Sequence, residues 1–165
     1  MDFDEDLGWD SNKNCYSIFT APEYRTEVIT NSMGMRESVE FALLTDTYRI
    51  ALIGDSMVWG TGVEEDERFG EHLQSLLGED FEVMNFAVVG YGTDQYLLKI
   101  ERDVLQFNPD MIIVHFHLND LENIQYTNQY GKSKPRYVLN GNSLELEGYP
   151  LEKVGFTFNH FRHLN

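Results

Sequence analysis

Three short apolar runs dominate the middle of the chain: Ile50–Ile53, Glu82–Phe86 and Met111–Phe116. Each stops at a glycine or a polar turn, and they begin about 30 residues apart. Between the first two, Phe69, His72, Leu73, Leu76 and Leu77 recur at helical spacing; between the second and third, Leu97, Ile100, Val104 and Phe107 do the same. Strand, helix and strand at this interval form βαβ units, whose right-handed crossovers join parallel neighbours. All three strand C-termini then share one edge of a parallel sheet. The fold class is therefore α/β, and a ligand site is expected beyond that edge.

The same reading sets boundaries. Strands are expected near 49–53, 82–86 and 110–116, the third being apolar enough to be buried on both faces. A helix is expected over about 66–77, with the acids Glu64–Glu67 at its start and Gly78 past its end. The second helix ends at Asn108-Pro109-Asp110. Residues 1–48 show no sustained period and read as an irregular N-terminal arm with short extended pieces; 49–165 form the α/β domain. Tyr137–Leu139 and Leu144–Leu146 flank Asn140-Gly141-Asn142-Ser143, a β-hairpin outside the main sheet. Phe156–Asn165 is expected to start another helix.

Composition narrows the partners. With 28 acidic against 12 basic residues the net charge is −16, and no Lys or Arg run supplies a basic cluster, so nucleic acid is not expected as a partner. Cys15 is the single cysteine, which rules out an intrachain disulfide and a cysteine zinc site. The first ten residues carry acid where a signal peptide carries base, and no apolar run is long enough to span a bilayer. These features leave localisation open, cytoplasmic by default if the N-terminus is native.

Polar residues at the strand ends carry the chemistry. The first strand delivers Gly54-Asp55-Ser56, the second leads to Gly90 with Gly92 close by, and the third delivers Asn119-Asp120. A hydroxyl nucleophile, a glycine amide open to a developing oxyanion, and a carboxamide donor together make an acyl-transfer site. Asp side chains hydrogen-bond neighbouring backbone N–H groups, so Asp55 and Asp120 are expected to organise the loops that aim Ser56 and Asn119.

These segments carry a resemblance. Ile53-Gly-Asp-Ser-Met-Val-Trp-Gly60, Asn85-Phe-Ala-Val-Val-Gly90-Tyr-Gly-Thr-Asp-Gln95 and Leu118-Asn119-Asp120 are similar to the first three sequence blocks of SGNH (GDSL-type) hydrolases. Asn31-Ser-Met-Gly-Met-Arg36 and the hairpin from Pro135 to Leu146 resemble flanking pieces of one bacterial subgroup. The resemblance implies a flavodoxin-like three-layer α/β/α sandwich and a serine esterase. Ser56 would be the nucleophile, with an oxyanion hole from the Ser56 and Gly90 amides and the Asn119 side chain. The substrate would be a small-molecule or carbohydrate ester, with no cofactor or metal. Two departures stand out: His117 occupies a position where the family has Gly, and the family's Asp-x-x-His acid and base do not occur in this sequence. His160-Phe-Arg-His163 lacks the acid. The chain is accordingly expected to be the front portion of a longer enzyme, inactive or very weak alone.

The sequence also supports other readings. His115 and His117 alternate onto one strand face, and His115-Phe-His117-Leu-Asn119-Asp120 loosely resembles a metallo-β-lactamase-like metal signature, though Asn and Asp stand where Asp and His are needed. The domain could instead bind an acylated sugar or a protein partner without chemistry. His72, on the apolar helical stripe, is expected to be a packed or boundary residue, and His160 and His163 to lie on a surface turn or helix. Trp59, Tyr91 and Tyr96 are candidates either for stacking on a sugar ring or for the core and its rim.

Overall fold

The computed structural model describes residues 1–152. The Phe156–Asn165 helix and the placement of His160 and His163 lie outside the described residues.

The arm is more regular than its sequence implies. It forms two antiparallel hairpins, β1 (Asp2–Asp4) with β2 (Gly8–Asp10), and β3 (Cys15–Thr20) with β4 (Arg25–Thr30). Only β4 alternates, burying Thr26, Val28 and Thr30 between exposed Arg25, Glu27 and Ile29, whereas β3 is largely exposed on both faces and carries no period to read. The first turn is tied locally: one Asp4 carboxylate oxygen accepts from the Asp6 and Leu7 amides.

The central sheet follows the expected plan. β5 (Tyr48–Ile53) leads into α1 (Ser56–Trp59); α2 (Phe69–Leu77) crosses to β6 (Phe81–Asn85); α3 (Thr93–Lys99) crosses to β7 (Met111–Val114). β5 is central and parallel to both neighbours, with Leu52 opposite Asn85 and Ile53 opposite Val114. The strand exits therefore share an edge. A short helix α4 (Asp120–Asn123) follows, then hairpins β8 (Asn128–Gln129) with β9 (Lys132–Ser133) and β10 (Arg136–Asn140) with β11 (Ser143–Glu147). The last hairpin stands where the sequence put it.

Three expectations change. The helix over 66–77 begins later: Glu65–Glu67 is a separate 3₁₀ turn, and Arg68 is extended, its guanidinium drawn to Glu37 and Glu71. His72 is exposed, because α2 turns much of its surface to solvent. The third strand is not buried on both faces. It is a sheet edge, bonded only to β5 among the described residues, and Met111, Val114 and Phe116 are 45%, 47% and 52% exposed. A continuous apolar run does not say how many neighbours a strand will have.

Alternation along β5 and β6 divides the core. Ala51, Ile53, Met84 and Phe86 join Leu7, Trp9, Tyr91, Tyr96, Val104 and Phe107 on one face. Ile50, Leu52 and Val83 join Val28, Val58 and Trp59 on the other, with Leu73 and Leu77 of α2 packed against them. Each fully buried Leu or Ile contributes about 1.5–3 kcal/mol over exposure. Both cores contain arm residues, so the hairpins are built into the domain. At the far edge, buried Arg49 fixes the register: its backbone N–H donates to Asp110, its Nε to Glu82 and its Nη1 to the Phe107 carbonyl.

Candidate active site

Ser56 opens α1 directly beyond the C-terminus of β5. Asp55 caps that helix, its Oδ1 accepting from the Met57 N–H at 2.9 Å. Gly54 is required by close approach: a Cβ there would stand 2.3 Å from Val58 Cγ2. Burial of Val58 and Trp59 anchors the helix underneath while Ser56 stays partly accessible.

The loop after β6 is stitched to this turn. The Val88 N–H donates to the Gly54 carbonyl at 3.2 Å. Asn85 Nδ2 donates to the Val58 carbonyl at 2.7 Å, and its Oδ1 accepts from the Ala87 N–H. Gly90 is buried with φ at +80°, a left-handed conformation that a residue with a Cβ adopts only under strain. Trp9 from the arm braces the loop, its Nε1 donating to the Val89 carbonyl while the Tyr91 hydroxyl donates back to the Trp9 carbonyl. Among the described residues, neither the Ser56 nor the Gly90 N–H donates to a protein acceptor.

The loop after β7 closes the group. Asn119 Nδ2 donates to Asp55 Oδ2 at 3.0 Å, so one carboxylate holds both the Ser56 turn and the Asn119 carboxamide. His117 Nδ1 donates to Asn119 Oδ1, which leaves the second Nδ2 hydrogen of Asn119 uncommitted to either neighbour. Asp120 is fully buried; it accepts from the His117 N–H at 2.8 Å and from the Tyr96 hydroxyl at 3.1 Å. Burial raises its pKa from the ordinary aspartate value, with Asp55 adding to the rise and those two hydrogen bonds opposing it.

Several organising residues escaped the sequence reading. Arg36 is buried and donates to the backbone carbonyls of Trp59, Gly60, Val63 and Glu27, with its guanidinium 4.5 Å above the Trp59 ring. It clamps the C-terminal end of α1 to the arm. Glu37 beside it accepts from the Asn85 N–H and from Arg68. Burial pushes Glu37 up to about 7, partly opposed by Arg68. The signal was the Asn31–Arg36 segment, whose residues looked distinctive without indicating what they touch.

His115 and His117 do share a face, their rings stacked 6.3 Å apart. No group of three His, Cys, Asp or Glu side chains able to hold a metal occurs among the described residues. Trp59, Tyr91 and Tyr96 are all buried, which removes them as sugar-stacking surfaces and places them in the core. No helix among the described residues is long and apolar enough to cross a membrane.

Comparison with known proteins bears on the same segments. Residues 52–146 match the GDSL-like Lipase/Acylhydrolase family. An acetylxylan esterase of Xylanibacter ruminicola is 32% identical over 95 residues, which is 52% of this chain and 20% of that protein. The chain thus spans about a fifth of the length of this curated relative. No solved structure matches the chain.

Proposed function

The chain belongs to the GDSL-like Lipase/Acylhydrolase family, and from that premise we propose that it carries the nucleophile and oxyanion side of a serine esterase acting on a carbohydrate ester. Ser56 is the nucleophile. The Ser56 and Gly90 amides and the Asn119 carboxamide receive the oxyanion, while Asp55 and Asp120 organise the loops. The observation that carries this reading is the double engagement of Asp55, which binds the Met57 amide with one oxygen and the Asn119 carboxamide with the other. A pure binding site has no need of a hydroxyl at one strand exit together with donors at two others. The name of the similar acetylxylan esterase supports an acylated sugar as substrate.

In such a mechanism Ser56 Oγ attacks the acyl carbon, and the carbonyl oxygen gains negative charge as the tetrahedral species forms. In this reading two backbone donors and one side-chain donor stabilise that charge. The hydroxyl proton must leave as the bond forms, and the 165 residues contain no Asp-x-x-His to receive it in the family's pattern. A serine without its base retains roughly 10³–10⁴-fold catalysis over water from the hole and binding alone. This chain is therefore expected to be nearly inert on p-nitrophenyl acetate, and Ser56→Ala to abolish turnover only where the family's acid and base complete the site. The test is a fluorophosphonate probe followed by mass mapping. Adduct at Ser56 supports the assignment; adduct elsewhere, or equal labelling of Ser56→Ala, overturns it.

A further inference from the structure

Burial of the three aromatics first considered leaves the site without an obvious sugar platform, yet one exposed ring lies directly on it. Tyr130 sits at the two-residue turn between β8 and β9, where Gln129 pairs with Lys132 and both Tyr130 and Gly131 have positive φ, +53° and +73°. Such a turn favours Asn or Asp followed by Gly; tyrosine is an unfavourable occupant of its first position. Tyr130 is 72% exposed, although the Cε2–Cδ2 side of its ring lies close to Gly90: a Cβ added to Gly90 would stand 2.5 Å from Cε2 and 3.3 Å from Cδ2. A strained backbone conformation that presents a large apolar ring to water over the loop glycine is retained only where something else is gained.

The hairpin that carries the ring is held from three sides. A Cβ on Gly8 would meet the Ser133 carbonyl oxygen at 2.1 Å, so the arm packs closely against β9. Lys132 Nζ lies 5.6 Å from the centre of the Trp9 ring, the residue that braces Val89. Gln129 Nε2 donates to Asn123 Oδ1 at the end of α4, and buried Lys134 just past β9 pairs with Asp94 at 2.9 Å. The ring is thus pre-positioned by elements shared with the second and third strand exits, which lowers the entropy lost when a ligand lies against it.

We propose that Tyr130 is the platform on which the sugar ring of the ester's alcohol part stacks beside the oxyanion donors. This rests on the carbohydrate-esterase reading above. Sugar C–H groups pack against the open aromatic face, and the phenol remains free to exchange a hydrogen bond with a ring hydroxyl. Tyr130 would act by holding the alcohol part, not by touching the reacting atoms.

The experiment is calorimetric titration of the 165-residue chain with xylohexaose, beside Tyr130→Ala and Tyr130→Phe, with circular dichroism to confirm that each is folded. Tyr130→Ala should weaken binding by about ten-fold or more, and Tyr130→Phe should stay within about three-fold of the parent. Equal affinity in Tyr130→Ala, or no binding by the parent chain, overturns the proposal. Fluorophosphonate labelling of Ser56 in the parent chain reads the hydrolase assignment separately. Loss of xylohexaose binding in Tyr130→Ala together with an adduct at a residue other than Ser56 would uphold the platform and sink the esterase; an adduct at Ser56 with unchanged xylohexaose binding would do the reverse.

Discussion

Replacing Glu37 by glutamine should flatten the pH dependence of stability between about pH 4.5 and 7. Glu37 is almost wholly buried behind the active-site loops, with Oε1 accepting from the Asn85 N–H at 3.2 Å and Oε2 from Arg68 Nη2 at 2.9 Å. Desolvation raises its pKa from 4.5 to about 7; Glu71 and Glu65 add to the rise, while Arg68 opposes it. The folded state therefore holds this proton more tightly than the unfolded chain does. Stability contributed by protonated Glu37 is fully present below pH 4.5, declines as pH rises, and is lost above about pH 7. The span corresponds to about 3 kcal/mol. Glutamine keeps an acceptor for Asn85 but carries no titrating proton. Urea denaturation of both proteins from pH 4.5 to 8 should show the parent losing about 3 kcal/mol more than Glu37→Gln across this interval, since the other carboxylates titrate in both. Parallel stability curves would refute the assignment of the buried proton to Glu37.

Asp55→Ala removes the cap of α1 and the tether to Asn119 together, and should lower stability by about 1–2 kcal/mol, read as a fall in melting temperature. Asp55→Asn can keep the Met57 bond through its carbonyl oxygen but points an amide at Asn119, so it should lose less stability than alanine while still displacing the Asn119 side chain, which NMR of the Asn119 amide would detect. Asn119→Ala, in protein active enough to assay, should reduce turnover by roughly 10²–10³ with little change in substrate binding. Unchanged turnover would reassign Asn119 to a structural role.

Strand and helix periods, being local properties of the chain, were readable without coordinates. Alternation of Ile50 and Leu52 against Ala51 and Ile53 already separates the two core faces, and the glycines and acids after β5, β6 and β7 mark where the backbone must turn and where side chains can cap it. Parallel pairing with all strand exits at one edge followed from connection length and handedness, whereas the central place of β5 came only from the structure. Burial is different, because it depends on what arrives from elsewhere: β7 is as apolar as a central strand but lies at an edge, and Trp59, Tyr91 and Tyr96 look like binding aromatics until Phe19 and Trp9 of the arm pack on the first two and Asp120 meets the third. Arg36 reads as an ordinary surface cation because its partners are carbonyls of Glu27, Trp59, Gly60 and Val63, groups every residue possesses and no pattern advertises. Tyr130 was equally silent, since its contact with Gly90 joins two loops 40 residues apart that only the packing of the arm, α4 and the β8–β9 hairpin brings together.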